Sequence, residues 1–200
     1  MHASEQKRAD IQQARQKWKE HQGMLVPGRL VFLDEAGAKT NMTRLRGRAQ
    51  GGQRCVDEVP HGHWETTTMI SSIRIDGSTA CMVIDGPTSS DVFREYVRHV
   101  LVPTLQPGDI VILDNLIAHK DAEARQLIQE AQATVLHLPA YSPDLNPIEK
   151  MWSKVKEFLR NAKARTQEAL LNAIAQALKT VTHQDSIGWF MSCGYGTSQN

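Results

Sequence analysis

The chain has 200 residues, 40% of them hydrophobic, and a net charge of +1, which is enough apolar material for the core of one domain and too neutral for a generally basic nucleic-acid coat protein. Its three cysteines, Cys55, Cys81 and Cys193, are odd in number and far apart, so neither a disulfide framework nor a zinc site is indicated, and a reducing cytosol suits them. No apolar run approaches the roughly 18 residues of a membrane span, and the N-terminus is polar rather than signal-like.

Residues 1–28 read as a polar extension. The stretch Ala3 to Gln22 is rich in Gln, Lys, Arg and Glu, and predicts a solvated helix or linker that anchors no core. Leu30 to Leu33 is a first strand running straight into Asp34. From Ala36 to Val56 the chain carries Lys39, Arg44, Arg46, Arg48 and Arg54 with no acidic residue, a cationic segment whose Gly47, Gly51 and Gly52 favour a loop. Such a segment suits contact with a phosphate backbone, where cation–phosphate neutralisation dominates affinity. His61, His63 and Glu65 lack a further ligand at suitable spacing and are not read as a metal site, while Trp64 and Trp152 are expected in or near the core.

Thr66 to Ile75 and Thr79 to Ile84 read as the second and third strands, turned by Asp76-Gly77. Ser89 to Leu101 has helical spacing, with Ser90 or Asp91 near its start. The apolar run Asp109 to Asp114 then reads as a buried strand delivering a carboxylate at its C-terminal end. Asp121 to Ala131 predicts a helix and Thr134 to Leu138 a fifth strand.

Three prolines in Leu138 to Ile148 rule out a regular helix until Pro147, which can occupy a first turn. Asn146 would cap that helix in preference to binding metal, and Asp144 would form the Pro143-Asp144 turn. Ile148, Trp152, Val155 and Leu159 form its apolar stripe, and Glu149 lies in the first turn beside it. Thr166 to Val181 is the last predicted helix, without a full capping box. Three strands, helix, strand, helix, strand and helices make an α/β order, and Asp34, Asp114 and Glu149 sit at three element ends. Carboxylates that converge repel one another unless cations lie between them.

The stretches Leu113 to Lys120 and Leu138 to Lys156, with the opening Leu33-Asp34-Glu35-Ala36-Gly37, resemble the catalytic domain of the mariner-like transposases, in the bacterial insertion-sequence branch. The resemblance runs from about Arg29 to the C-terminus, so residues 29–200 are expected to form one domain. It implies a ribonuclease-H-like fold: a mixed five-stranded sheet, three antiparallel strands extended by two parallel ones, flanked by helices. It also implies the Asp-Asp-Glu set Asp34, Asp114 and Glu149, with 34 residues between the second and third acids.

The implied chemistry is cleavage and strand transfer at DNA element ends, with water and then a freed 3′-hydroxyl as nucleophiles. Two Mg²⁺ ions, or Mn²⁺ in their place, suit an all-oxygen ligand set, with Asp34 bridging both ions, Asp114 on one and Glu149 on the other. Asn115, His119, Lys120, Lys150, Lys154 and Lys156 are further candidate DNA contacts. Expected partners are element and target DNA, a second copy of the chain, and a DNA-binding protein from an upstream reading frame, in the bacterial cytoplasm at the nucleoid. The 33 residues before Asp34 leave no room for the family's helix-turn-helix module. Two other readings stand beside this one: a non-catalytic regulatory remnant, and a nuclease acting on RNA–DNA hybrids.

Overall fold

The computed structural model describes residues 4–58, 61–62, 64–114 and 121–196. Five strands, β1 (Leu30–Lys39), β2 (Thr66–Ile73), β3 (Thr79–Asp85), β4 (Ile110–Leu113) and β5 (Thr134–His137), form one sheet in the order β3-β2-β1-β4-β5. The β1–β2 and β2–β3 pairs are antiparallel, and β1–β4 and β4–β5 are parallel. This is the mixed sheet that the family resemblance implies.

Side-chain parity divides the core in two, because successive strand residues point to opposite faces. Leu30, Phe32, Ala36 and Ala38 of β1 and Ile112 of β4 pack on one face with α4 (Pro147–Ala162), α5 (Gln167–Lys179) and α6 (His183–Ser192). Val31, Leu33, Val111 and Leu113 pack on the other with α2 (Ser90–Tyr96), the π-turn Val97–Leu101 that continues it, and α3 (Ala122–Glu130). Strand β1 is central and buried along most of its length.

Several elements differ from the sequence expectation. β1 runs to Lys39 rather than ending at Leu33, because β2 pairs with it as far as Lys39–Thr66 and the small Ala36 and Ala38 fill tight inward positions. The helix α1 (Ala9–Gln22) is docked instead of solvated: Ile11 is buried, Trp18 donates to the Tyr195 hydroxyl at 3.0 Å, and the Gln22 amide donates to the Cys193 carbonyl at 2.6 Å. Few apolar residues suffice when polar side chains find buried partners.

Helix α6 has no counterpart in the predicted elements. Its apolar pattern is weak and Gly188 interrupts it, yet Thr182 and Asp185 form a reciprocal capping box, and that pair was the signal available in the sequence. Phe190 of α6 meets Phe32 edge-on with ring centroids 5.2 Å apart. The hairpin before it turns at Gly77, whose φ of +87° suits glycine and whose missing Cβ lets the start of α6 approach. The cysteines among these elements are free, and no described helix is long and apolar enough to cross a membrane.

Polar ties fix the hairpin to the sheet. Asp109, fully buried, accepts from the Arg74 guanidinium and from Gln106 N at 2.7 Å, while Arg74 also reaches the Thr104 carbonyl and its own carbonyl accepts from Ser186. Removing the cation leaves a buried carboxylate without its partner, so Arg74→Ala is expected to lower the unfolding free energy by about 3 kcal/mol in urea titrations. Asp185 is different because it lies nearer the surface. Its hydrogen bond to the Lys154 ammonium, helped by Thr182, holds its carboxyl down to about 2. Because the folded value lies below the unfolded one, the stabilisation is present at neutral pH and is lost as pH falls from about 4 towards 2. The destabilisation by Asp185→Ala in thermal melts is therefore expected to shrink across that interval.

Candidate active site

Asp34 and Asp114 are brought side by side by strand register. β1 and β4 run parallel, pairing Leu30 with Ile110, Val31 with Val111 and Phe32 with Ile112. Asp34, two residues beyond Phe32 on β1, and Asp114, the residue after β4 and two beyond Ile112, line the same cleft. Parity does the rest. Both residues follow Phe32 and Ile112 by two, so both project towards the α4 face.

Glu149 arrives from that face. Pro147 opens α4, whose buried stripe is Pro147, Ile148, Met151, Trp152, Val155 and Leu159, and this packing on β1 brings the first turn to the cleft that Asp34 and Asp114 line. Asp34, Asp114 and Glu149 together line one open cleft of about 480 Å³, walled by the segment from Leu138 to Asn146. Asp34 is 7% exposed, Asp114 is half-buried and Glu149 is exposed.

Although Glu149 is open to solvent overall, burial of its carboxyl against the cleft raises its pKa above the usual carboxylate range. Lys156, two turns along α4, opposes that rise, and the negative charge of Asp114 adds to it. Among the described residues no three His, Cys, Asp or Glu side chains stand close enough to ligate one ion. The cleft therefore gathers the three carboxylates around a shared space, and reaching one cation requires side-chain rotation, which the exposed Glu149 is free to make. The donor chemistry fits a hard divalent cation, since the polar lining is oxygen-rich and holds no imidazole or thiol.

The surrounding groups hold the acids in place. His137, at the end of β5, presents Nδ1 to the Asp114 carbonyl at 3.0 Å. A carbonyl only accepts, so Nδ1 carries the proton there. The cleft wall is braced by α1: Arg15 meets both carboxylate oxygens of Asp144 at 2.9 and 2.7 Å and the Ser142 hydroxyl at 2.7 Å. Asp144 is thus an ion-pair partner as well as part of the 3-10 turn Pro143–Leu145. Gln6 donates to the carbonyl of Tyr141, whose φ of +56° is unusual for a non-glycine residue. The Tyr195 hydroxyl donates to the Leu145 carbonyl at 2.8 Å beneath that turn. Asn146 stands at the N-cap position of α4, but its side chain makes no cap hydrogen bond, contrary to the sequence expectation.

The candidate DNA contacts are scattered. Arg44, Arg46, Arg48 and Arg54 are exposed on an irregular segment, where Arg44 donates to the Asn161 side chain at 2.6 Å, near the far end of α4. Lys39 lies over the Trp64 ring, and Trp64 is half exposed rather than in the core, whereas Trp152 is buried. Lys150 is exposed, Lys156 is half-buried, and Lys154 is ion-paired with Asp185. Asn115, His119, Lys120 and His63 lie outside the described residues.

Comparison with known proteins agrees with this architecture. A model of the DDE superfamily endonucleases matches residues 29–171. The Tc1 transposase of Caenorhabditis elegans is 26% identical over 99 residues, covering 50% of this chain and 36% of that protein. The Mos1 strand transfer complex superposes with a TM-score of 0.69 at 14% identity, covering 96% of this chain and 59% of that one. The Mos1 transposase catalytic domain, solved with Raltegravir and Mg, gives 0.66 at 13% identity, covering 95% and 91%. These similarities confirm the fold. The chain spans about a third of the curated relative and three fifths of the chain in the strand transfer complex.

The bracing of the cleft wall is testable. Arg15→Ala is expected to cost about 1 kcal/mol, as suits a partly exposed bidentate pair, and to raise amide hydrogen exchange selectively between residues 139 and 146.

Proposed function

Because the chain belongs to the DDE superfamily of endonucleases, whose model spans residues 29–171, we propose that it is the catalytic domain of a transposase that cuts DNA at the ends of a mobile element and joins them to a target. The observation that carries this reading is that Asp34, Asp114 and Glu149, drawn from the middle of β1, the residue after β4 and the first turn of α4, line a single open cleft. Phosphodiester cleavage needs a deprotonated oxygen nucleophile, charge neutralisation at phosphorus and stabilisation of the leaving alkoxide. Divalent cations supply those three functions when bound, and Asp34, Asp114 and Glu149 are the residues that would hold them. We assign Mg²⁺ as the ion, used as a pair and replaceable by Mn²⁺, because the candidate ligands are carboxylates.

The protein's own part is placement. Burial of Asp34 and the His137 contact to the Asp114 backbone limit the motion of two ligands, while Glu149 remains mobile enough to complete the set. The arginines at 44, 46, 48 and 54 are the proposed phosphate contacts, with Lys39, Lys150 and Lys156 extending them. Arg44 touches Asn161, twelve residues along α4 from Glu149, hence about 18 Å away. That distance corresponds to roughly five base pairs of duplex, so a duplex seated in the cleft would reach the basic segment half a helical turn from the cut. Lys154, Asn115, His119 and Lys120 complete the set of proposed contacts; for Lys154 this means exchanging Asp185 for phosphate. The bacterial insertion-sequence branch, a nucleoid setting in the cytoplasm and assembly as a pair on DNA belong to the same proposal.

Purified chain incubated with a pre-cleaved element end, Mg²⁺ and plasmid target is expected to yield joined products that chelation abolishes. Asp114→Ala, verified as folded by circular dichroism, is expected to reduce them by at least about 100-fold. DNA binding without products would replace this reading with that of a regulatory remnant, and cleavage confined to RNA–DNA hybrids would replace it with that of a hybrid nuclease.

A further inference from the structure

Asn146 is out of place for the structural role its position suggests. An asparagine before Pro147 at a helix start ordinarily accepts from the backbone N–H groups of the first turn. Here its backbone is extended, with φ −112° and ψ 101°, yet the side chain makes no such bond. The residue is 4% exposed, its Oδ1 is buried without any hydrogen-bond partner, and it lines the same cleft as Asp34, Asp114 and Glu149. A buried acceptor left unpartnered is costly, and native proteins keep few of them without a functional reason.

The chemistry of that oxygen narrows what it can meet. A carboxamide oxygen accepts hydrogen bonds and coordinates hard cations, but it repels the oxygens of a phosphate. The start of α4 alone would favour an anion, whereas an acceptor oxygen set beside three carboxylates favours a cation and the water bound to it. Lining the cleft together with Asp34, Asp114 and Glu149, Asn146 would add a neutral oxygen to a set that is otherwise all charged. A neutral ligand orients the ion or its water without adding to the repulsion among the acids.

We infer that Asn146 is a positioning residue of the divalent-cation site, its Oδ1 accepting from a cation-bound water or coordinating the ion directly. This rests on the assignment of Asp34, Asp114 and Glu149 as the cation ligands. It makes Asn146 a determinant of cation affinity rather than of helix stability.

The test is a titration of the purified chain with Mn²⁺, following free ion by electron paramagnetic resonance, beside thermal melts in chelator. Wild type is expected to bind and Asp114→Ala to lose binding. Asn146→Ala is expected to weaken binding about tenfold while melting no lower than wild type, since it removes an unpartnered buried oxygen. Asn146→Asp, which keeps an acceptor oxygen and adds a negative charge, is expected to bind the cation at least as tightly as wild type. Wild-type affinity in Asn146→Ala would overturn the inference while leaving the carboxylate assignment intact. Weakened binding accompanied by a matching fall in melting temperature would overturn it too, by showing a structural role. Absence of Mn²⁺ binding in wild type would overturn the carboxylate assignment and this inference together.

Discussion

The parallel alignment of β1 with β4 is the constraint on which the site depends. It brings Asp34 and Asp114 to one cleft from neighbouring strands, and the two-residue pleat sets the face both occupy. Slipping β4 by one residue would turn Asp114 to the opposite face and bury Leu113 where the carboxylate belongs. Hydrophobic burial guards against that slip, because Val111 and Leu113 fill the α2–α3 side while Ile112 fills the α4 side. The packing that stabilises the sheet is thus the same packing that positions two acids, and Glu149 follows because α4 docks its stripe on that face.

How far the sequence could be read depended on whether the deciding interaction was local. Strand β4 and its terminal Asp114 were legible because a continuous apolar run ending in a carboxylate has a local signature, as was α4, whose stripe opens at Pro147. β1 beyond Leu33 was not, since Ala36 and Ala38 gain strand character only by pairing with β2, thirty residues away. Docking of α1 was equally hidden. Trp18, Gln22 and Arg15 look like a solvated face until Tyr195, Cys193 and Asp144, more than a hundred residues distant, supply their partners. Asn146 misled in the opposite way, because its position implied a cap that the folded backbone does not use.

The cleft concentrates features that a stability-driven structure would avoid. Asp34 is nearly buried, the carboxyl of Glu149 is pushed towards protonation by burial, Tyr141 sits in the left-handed region, and Asn146 Oδ1 lacks a partner. Each is individually unfavourable, and all of them line one cavity. Local rules tend to be broken at functional sites and compensated elsewhere. The compensation is visible nearby: Arg15 grips Ser142 and Asp144, Tyr195 holds Leu145, and Gln6 holds Tyr141.

Those compensating contacts come from the two ends of the described chain, which has a mechanical consequence. The wall between Leu138 and Asn146 contains two prolines and little regular structure of its own, so its shape is borrowed from α1 on one side and from Tyr195 on the other. Trp18 links the two supports directly through the Tyr195 hydroxyl. Motion of α1 therefore reaches the cleft by two routes, through Arg15 to the Asp144 carboxylate and through Trp18 and Tyr195 to the Leu145 carbonyl. Both routes end within five residues of Glu149, the one acid of the three that is exposed. A displacement of α1 would act on the most adjustable carboxylate while leaving Asp34 and Asp114, which are fixed by the sheet, where they are.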